Sequence, residues 1–86
     1  MAWRIELTES AIKQLSKLAS NDVKRITAFL RERIRADPRA TGRALVGPLG
    51  GLWRYRVGGY RVICELQDSV MRVLVVKIGN RRDVYR

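Results

Sequence analysis

Two adjacent glycines, Gly58 and Gly59, separate two runs in which apolar and charged residues alternate, and this narrows the fold more than any other feature. Before them, Trp53, Tyr55 and Val57 alternate with Arg54 and Arg56. After them, Tyr60, Val62, Cys64 and Leu66 share one parity, and Arg61, Ile63 and Glu65 share the other. A period of two marks half-buried strands. A two-residue glycine connector suits a tight antiparallel hairpin, because glycine adopts the positive φ that the primed turns require. A second short connector, Asp68-Ser69, leads into a third apolar run. Strands over 52–57, 60–67 and 70–78 therefore predict an antiparallel meander.

The turns also predict register. A Gly58-Gly59 turn sets Val57 opposite Tyr60, Arg56 opposite Arg61 and Arg54 opposite Ile63. An Asp68-Ser69 turn sets Cys64 opposite Val73, Glu65 opposite Arg72 and Arg61 opposite Val76. One face then carries Trp53, Tyr55, Val57, Tyr60, Val62, Cys64, Leu66, Met71, Val73 and Val75, and should pack on helices. The other carries Arg54, Arg56, Arg61, Ile63, Glu65, Arg72, Leu74, Val76 and Ile78, basic at one side and apolar at the other. Like charges opposite each other in a ladder cost on the order of 0.2 to 1 kcal/mol. An anion bound between Arg56 and Arg61 would reverse that sign.

The first half of the chain supplies the helices. Trp3, Ile5 and Leu7 alternate with Arg4 and Glu6 as a short strand. Thr8 reads as a helix N-cap, with Glu9 in the first turn and Ala11, Ile12, Leu15 and Leu18 at helical spacing. The cluster Ser20, Asn21 and Asp22 reads as the cap of a second helix whose stripe is Val23, Ile26, Leu30 and Ile34. Asp37-Pro38 stops it, since the residue before proline avoids helical geometry. Residues 39–51 read as a loop rich in Gly and Arg. The prediction is an α+β fold in one domain, 1–86: an N-terminal strand and an antiparallel two-helix hairpin packed on a three-strand meander.

Charge narrows the function. Eighteen Lys and Arg against eight Asp and Glu give a formal net charge of +10. Such a field attracts polyanions, so nucleic acid or an acidic protein is the expected partner. The chain has no histidine and one cysteine. Cys64, buried by parity and without a histidine partner, makes a poor nucleophile. Nothing resembles a clustered metal site or a P-loop, so no cofactor or metal is expected. A lone cysteine fits a reducing cytoplasm, and the charged N-terminus with no long apolar run predicts no membrane association. What remains is guanidinium chemistry on phosphate, most simply on RNA. Tyr85, beside Arg81 and Arg82, either covers an edge of the core or offers a ring for a base to stack on.

Strand, helix, helix and meander in this order, with Leu45-Val46-Gly47, Leu52-Trp53-Arg54-Tyr55-Arg56-Val57, Gly59-Tyr60-Arg61-Val62-Ile63 and the tail from Gly79 to Tyr85, resemble the RelE/ParE toxin superfamily over nearly the whole chain. The resemblance implies the toxin of a type II toxin–antitoxin system. Its RelE-type branch comprises ribosome-dependent endoribonucleases, or mRNA interferases, which inhibit translation by cutting mRNA in the ribosomal A site. Its ParE-type branch inhibits DNA gyrase without nuclease activity. On the RelE pattern, Arg56, Arg61, Arg81 and Tyr85 are the implied catalytic residues, and Arg54, Arg82 and Lys77 the implied RNA-binding ones. The implied partners are the ribosome, mRNA and a small acidic antitoxin, in a toxin–antitoxin hetero-oligomer. Arg54 and Arg56 stand where better-known members have lysines, and Val46 stands where some have a basic residue. Arginine stays protonated, so the simplest candidate base is missing.

Overall fold

The alternating half of the chain forms the expected meander, and the sheet then extends by one strand at each side. The structure, a computed structural model, describes residues 2–80. Its elements are β1 (Arg4–Leu7), α1 (Glu9–Ser16), α2 (Ser20–Phe29), β2 (Arg43–Ala44), β3 (Trp53–Val57), β4 (Tyr60–Gln67) and β5 (Arg72–Asn80). The five strands are ordered β1-β5-β4-β3-β2. β1 runs parallel to β5, and the remaining pairs are antiparallel.

Both helices lie on one face of the sheet, α1 over β5 and α2 over β3. Thr8 caps α1 as expected, its hydroxyl accepting the Ala11 N–H at 3.1 Å. The second helix differs at both ends. Its N-cap is Ala19, which has no side chain to offer, so the Ser20-Asn21-Asp22 cluster lies inside the first turn. At its far end the helix loosens into a π turn over Leu30–Ile34, where the Arg35 N–H reaches back to the Leu30 carbonyl at 3.1 Å. That extra residue per turn still keeps Leu30 and Ile34 buried. The core joins Ala11, Ile26, Leu30 and Ile34 to Tyr55, Val57, Val62, Cys64, Val73, Val75 and Ile78.

Three expectations about the sheet are corrected. The segment 39–51 is not wholly loop, because β2 pairs with β3 and sets Arg43 opposite Arg54. The connector after β4 has four residues, not two. Asp68–Val70 form a 3₁₀ turn, and Met71 sits in the left-handed region at φ 49°. Cys64 therefore faces Val75, Glu65 faces Leu74, and Gln67 faces Arg72. This slides the expected register by two residues, which changes partners but keeps faces.

The third correction changes a face. Between Cys64↔Val75 and Ile63↔Lys77 the β5 chain carries one extra residue, Val76, a β-bulge. Beyond it the parity inverts. Ile78 pairs with Val62 and is 2 % exposed, so it belongs to the core rather than to the open face. Arg61 faces Gly79, not Val76. Helix α1 holds this segment in place: the Gln14 side chain accepts the Ile78 N–H at 2.7 Å, and the Thr8 N–H donates to the Val75 carbonyl at 3.0 Å.

Candidate functional site

The site is the sheet face turned away from the helices. On β3, burying Tyr55 and Val57 against the helices turns Arg54 and Arg56 the other way. The Gly58-Gly59 turn, with Gly58 at φ +60°, then sets the register, and the structure shows Arg56↔Arg61 and Arg54↔Ile63 as expected. The bulge brings Lys77 into line with Ile63, and β2 brings Arg43 into line with Arg54. Two rows result: Lys77, Ile63, Arg54 and Arg43, and beside it Gly79, Arg61 and Arg56.

Without the bulge, Lys77 would oppose Val62 and carry its ammonium toward the apolar core, where an unpaired charge is costly. The extra residue avoids that cost and adds a fourth strand position to the basic half of the face. Bulges beside functional sites commonly re-aim a side chain in this way.

The other half of the face has different electrostatics. It carries Arg4, Glu6, Arg72, Glu65 and Gln67, and both of its arginines are paired with Glu6. Arg72 bridges to Glu6 at 3.4 Å and Arg4 to Glu6 at 3.6 Å, while Arg72 also donates to the Gln67 carboxamide oxygen. On the basic half, no carboxylate of the described residues lies within salt-bridge distance of Arg54 or Arg61. Arg61 is only 6 % exposed, and its Nη1–H donates to the Tyr60 carbonyl at a long 3.3 Å. Arg54 Nε is buried with no hydrogen-bond partner among the described residues. Arg54 is half-buried and Arg61 buried, and an unsatisfied buried donor such as Arg54 Nε calls for a partner.

Among the candidate residues, the structure brings Arg54, Arg56, Arg61 and Lys77 together on this face. Arg81, Arg82 and Tyr85 lie outside the described residues. Arg43 is the residue that sequence reasoning missed. A two-residue strand has no period to detect, and its only signal is an arginine within a Gly-rich segment. Other chemistries find little support. Cys64 is fully buried, which pushes its thiol up to about 12, so it holds its proton at neutral pH. Among the described residues no group of three His, Cys, Asp or Glu could hold a metal ion, and no helix is long and apolar enough to cross a membrane.

Comparison with known proteins bears on the family and the fold. The family model for the ParE toxin of type II toxin–antitoxin systems, parDE, matches residues 5–85. The chain is 26 % identical over 86 residues to toxin RelG of Mycobacterium tuberculosis, covering 100 % of this chain and 99 % of that one. It is 27 % identical over 84 residues to toxin RelE of the same organism, covering 98 % and 87 %. The fold is similar to that of a chain in the crystal structure of the toxin–antitoxin complex RelBE2 from M. tuberculosis, with a TM-score of 0.89 at 22 % identity over 94 % of this chain and 100 % of that chain.

Proposed function

The chain belongs to the ParE toxin family of type II toxin–antitoxin systems, on the RelE-type side of the RelE/ParE superfamily, and from that membership we propose a ribosome-dependent endoribonuclease that cuts mRNA in the ribosomal A site. The observation that carries this reading is the pair of like-charge ladder positions, Arg56 with Arg61 and Arg43 with Arg54, gathered with Lys77 on one half of an open sheet face. Folding alone gives no reason to stack arginines there. A phosphodiester backbone is an anion that such a concentration of positive charge attracts.

In the proposed reaction the RNA 2′-oxygen attacks the adjacent phosphorus and the bond to the 5′-oxygen breaks, giving a 2′,3′-cyclic phosphate and a 5′-hydroxyl. The nucleophile is internal to the substrate, so the step requires no metal. Arg56 and Arg61 hold the phosphate and neutralise the charge that builds on its oxygens, the kind of preorganised stabilisation that contributes most to such a step. Arg81 stabilises or protonates the departing 5′-oxygen, which takes up a proton to become the 5′-hydroxyl, and Tyr85 stacks on a base to keep the attack in line. Arg54, Lys77 and Arg82 bind flanking backbone. The 2′-hydroxyl proton goes to the ribosome, the substrate phosphate or water, because arginine cannot accept it. A cognate acidic antitoxin covers this face and holds the toxin inactive in a hetero-oligomer. The target places the action in the cytoplasm.

Two observations favour a second reading, a gyrase inhibitor without nuclease activity. The matching family is described by its ParE members, and positions 54 and 56 hold arginine where the resemblance implies lysine in the better-known RelE-type members. One experiment separates the two: induce the protein and map 5′ ends on translated and untranslated copies of one transcript. Cuts confined to translated frames support the nuclease. Intact message with gyrase-dependent DNA breaks moves the protein to the other branch.

A further inference from the structure

The edge strand β2 closes a small concavity beside the Arg56–Arg61 pair, with Arg56 as the wall the two share. Thr41, Gly42, Arg43, Arg54 and Arg56 line a cavity of about 180 Å³. Small-molecule pockets begin at roughly 300 Å³, so this one suits a compact group. Three of its five lining residues are arginines, and the buried, unpartnered Nε of Arg54 belongs to one of them. Resting on the RNA-cleaving reading above, we propose that this cavity is a second phosphate subsite, in which Arg43 and Arg54 grip a backbone phosphate flanking the one held by Arg56 and Arg61.

The surrounding framework is rigidly held, as a binding site requires. Gly42 has φ +82° and lies so close to β3 that a Cβ there would stand 2.5 Å from the Arg54 carbonyl oxygen and 2.5 Å from Trp53 Nε1. The Trp53 indole donates to the Thr41 carbonyl at 2.9 Å, and the Tyr55 hydroxyl donates to the Pro38 carbonyl. Arg39, lying over the Trp53 ring at 5.9 Å, makes a two-pronged bridge to Asp68 at 2.7 and 2.9 Å. These contacts fasten residues 38–42 to the sheet and leave Arg43 at the rim opposite Arg54. Arg43 is exposed, so replacing it leaves the core intact.

Arg56 borders both subsites, and distance separates their outer members, Arg43 and Arg61. Arg43 and Arg61 lie two strands apart and one row apart, which standard strand spacings make roughly 12 Å between Cα atoms. A substrate with one internucleotide phosphate therefore engages the Arg56–Arg61 row without reaching Arg43, whereas a longer strand engages both.

The test uses 2′-O-methyl RNA, which lacks the attacking hydroxyl and cannot be cut by this route. Binding of a dinucleotide, with one internucleotide phosphate, and of a tetranucleotide, with three, is measured over a range of salt concentrations. Arg43→Gln is expected to weaken the tetranucleotide about fivefold and flatten its log K against log salt slope by about 0.7, the value of one single-strand phosphate contact. The dinucleotide should change less than twofold. Arg43→Lys should restore part of the tetranucleotide affinity, and Lys13→Gln, on exposed α1, should alter neither probe. An equal loss for both probes, or no loss for either, overturns the subsite. Mapping of 5′ ends is read separately: a flat Arg43→Gln result with frame-dependent cuts sinks the subsite alone, and the expected slopes without cuts sink the nuclease alone.

Discussion

Replacing Arg61 by methionine should stabilise the fold while abolishing toxicity. Arg61 as a residue is 6 % exposed, sits opposite Arg56 and has no salt-bridging carboxylate among the described residues. Three contributions decide the sign. Removing the cross-strand repulsion gains roughly 0.2 to 1 kcal/mol. Losing the Nη1–H bond to the Tyr60 carbonyl, long at 3.3 Å, costs about 0.5 kcal/mol, the weak end of the range for such bonds. Relieving the desolvation of a buried charge contributes most, since apolar replacement of buried ionic groups has stabilised other proteins by about 1 to 4 kcal/mol. The net expectation is a stabilisation of about 1 to 4 kcal/mol. For a domain of this size each kcal/mol moves Tm by roughly 4 to 8 °C. Melts followed by circular dichroism at low and high salt measure it. The gap between wild type and variant should narrow at about 1 M salt, where the Debye length falls to about 3 Å and Arg56 no longer sees Arg61. A variant that melts below wild type, with the urea m-value unchanged, would refute the reasoning: Arg61 would then be a net stabilising residue and the strain at this face illusory.

Two further outcomes test the surrounding structure. Tyr55→Phe removes the buried hydroxyl that donates to the Pro38 carbonyl and leaves that oxygen unpaired, so stability should fall by about 1 to 3 kcal/mol, read as a lower urea midpoint at constant m. Burial pushes the Cys64 thiol up to about 12, whereas an unfolded thiol titrates near ~8.5. Its contribution is therefore complete below ~8.5 and is lost as pH rises toward 12, because only the unfolded chain ionises over that interval. Wild type should lose stability relative to Cys64→Ala by up to about 1.4 kcal/mol per pH unit there, and denaturant titrations at about pH 8, 9 and 10 check it. A parallel pH dependence in the two proteins would show that the thiol ionises equally in both states.

Much of the site is legible in the amino-acid sequence. Arg54, Arg56 and Arg61 fall on one face because strand alternation and a two-residue glycine turn are both local, and together they leave one register for β3 and β4. The Thr8 cap is local in the same way. The second helix shows where such reasoning fails: Ser20, Asn21 and Asp22 are all good capping residues, yet the cap position falls on Ala19 and the helix begins at Ser20. Asp22 is used elsewhere, its carboxylate accepting the Tyr60 hydroxyl at 2.9 Å from across the fold.

Periodicity, capping and turn chemistry act over a few neighbouring residues, and they suffice to specify the two helices, the meander and the opposition of Arg56 to Arg61. Which residues complete the basic face depends instead on contacts between distant segments. Arg43 enters because β2 finds a partner in β3, and two residues have no periodicity of their own. Lys77 enters because β5 bulges at Val76, and the groups that hold the bulge, Thr8 and Gln14, lie more than sixty residues earlier in the chain. A one-residue change in register inverts a face, and nothing within the strand records it.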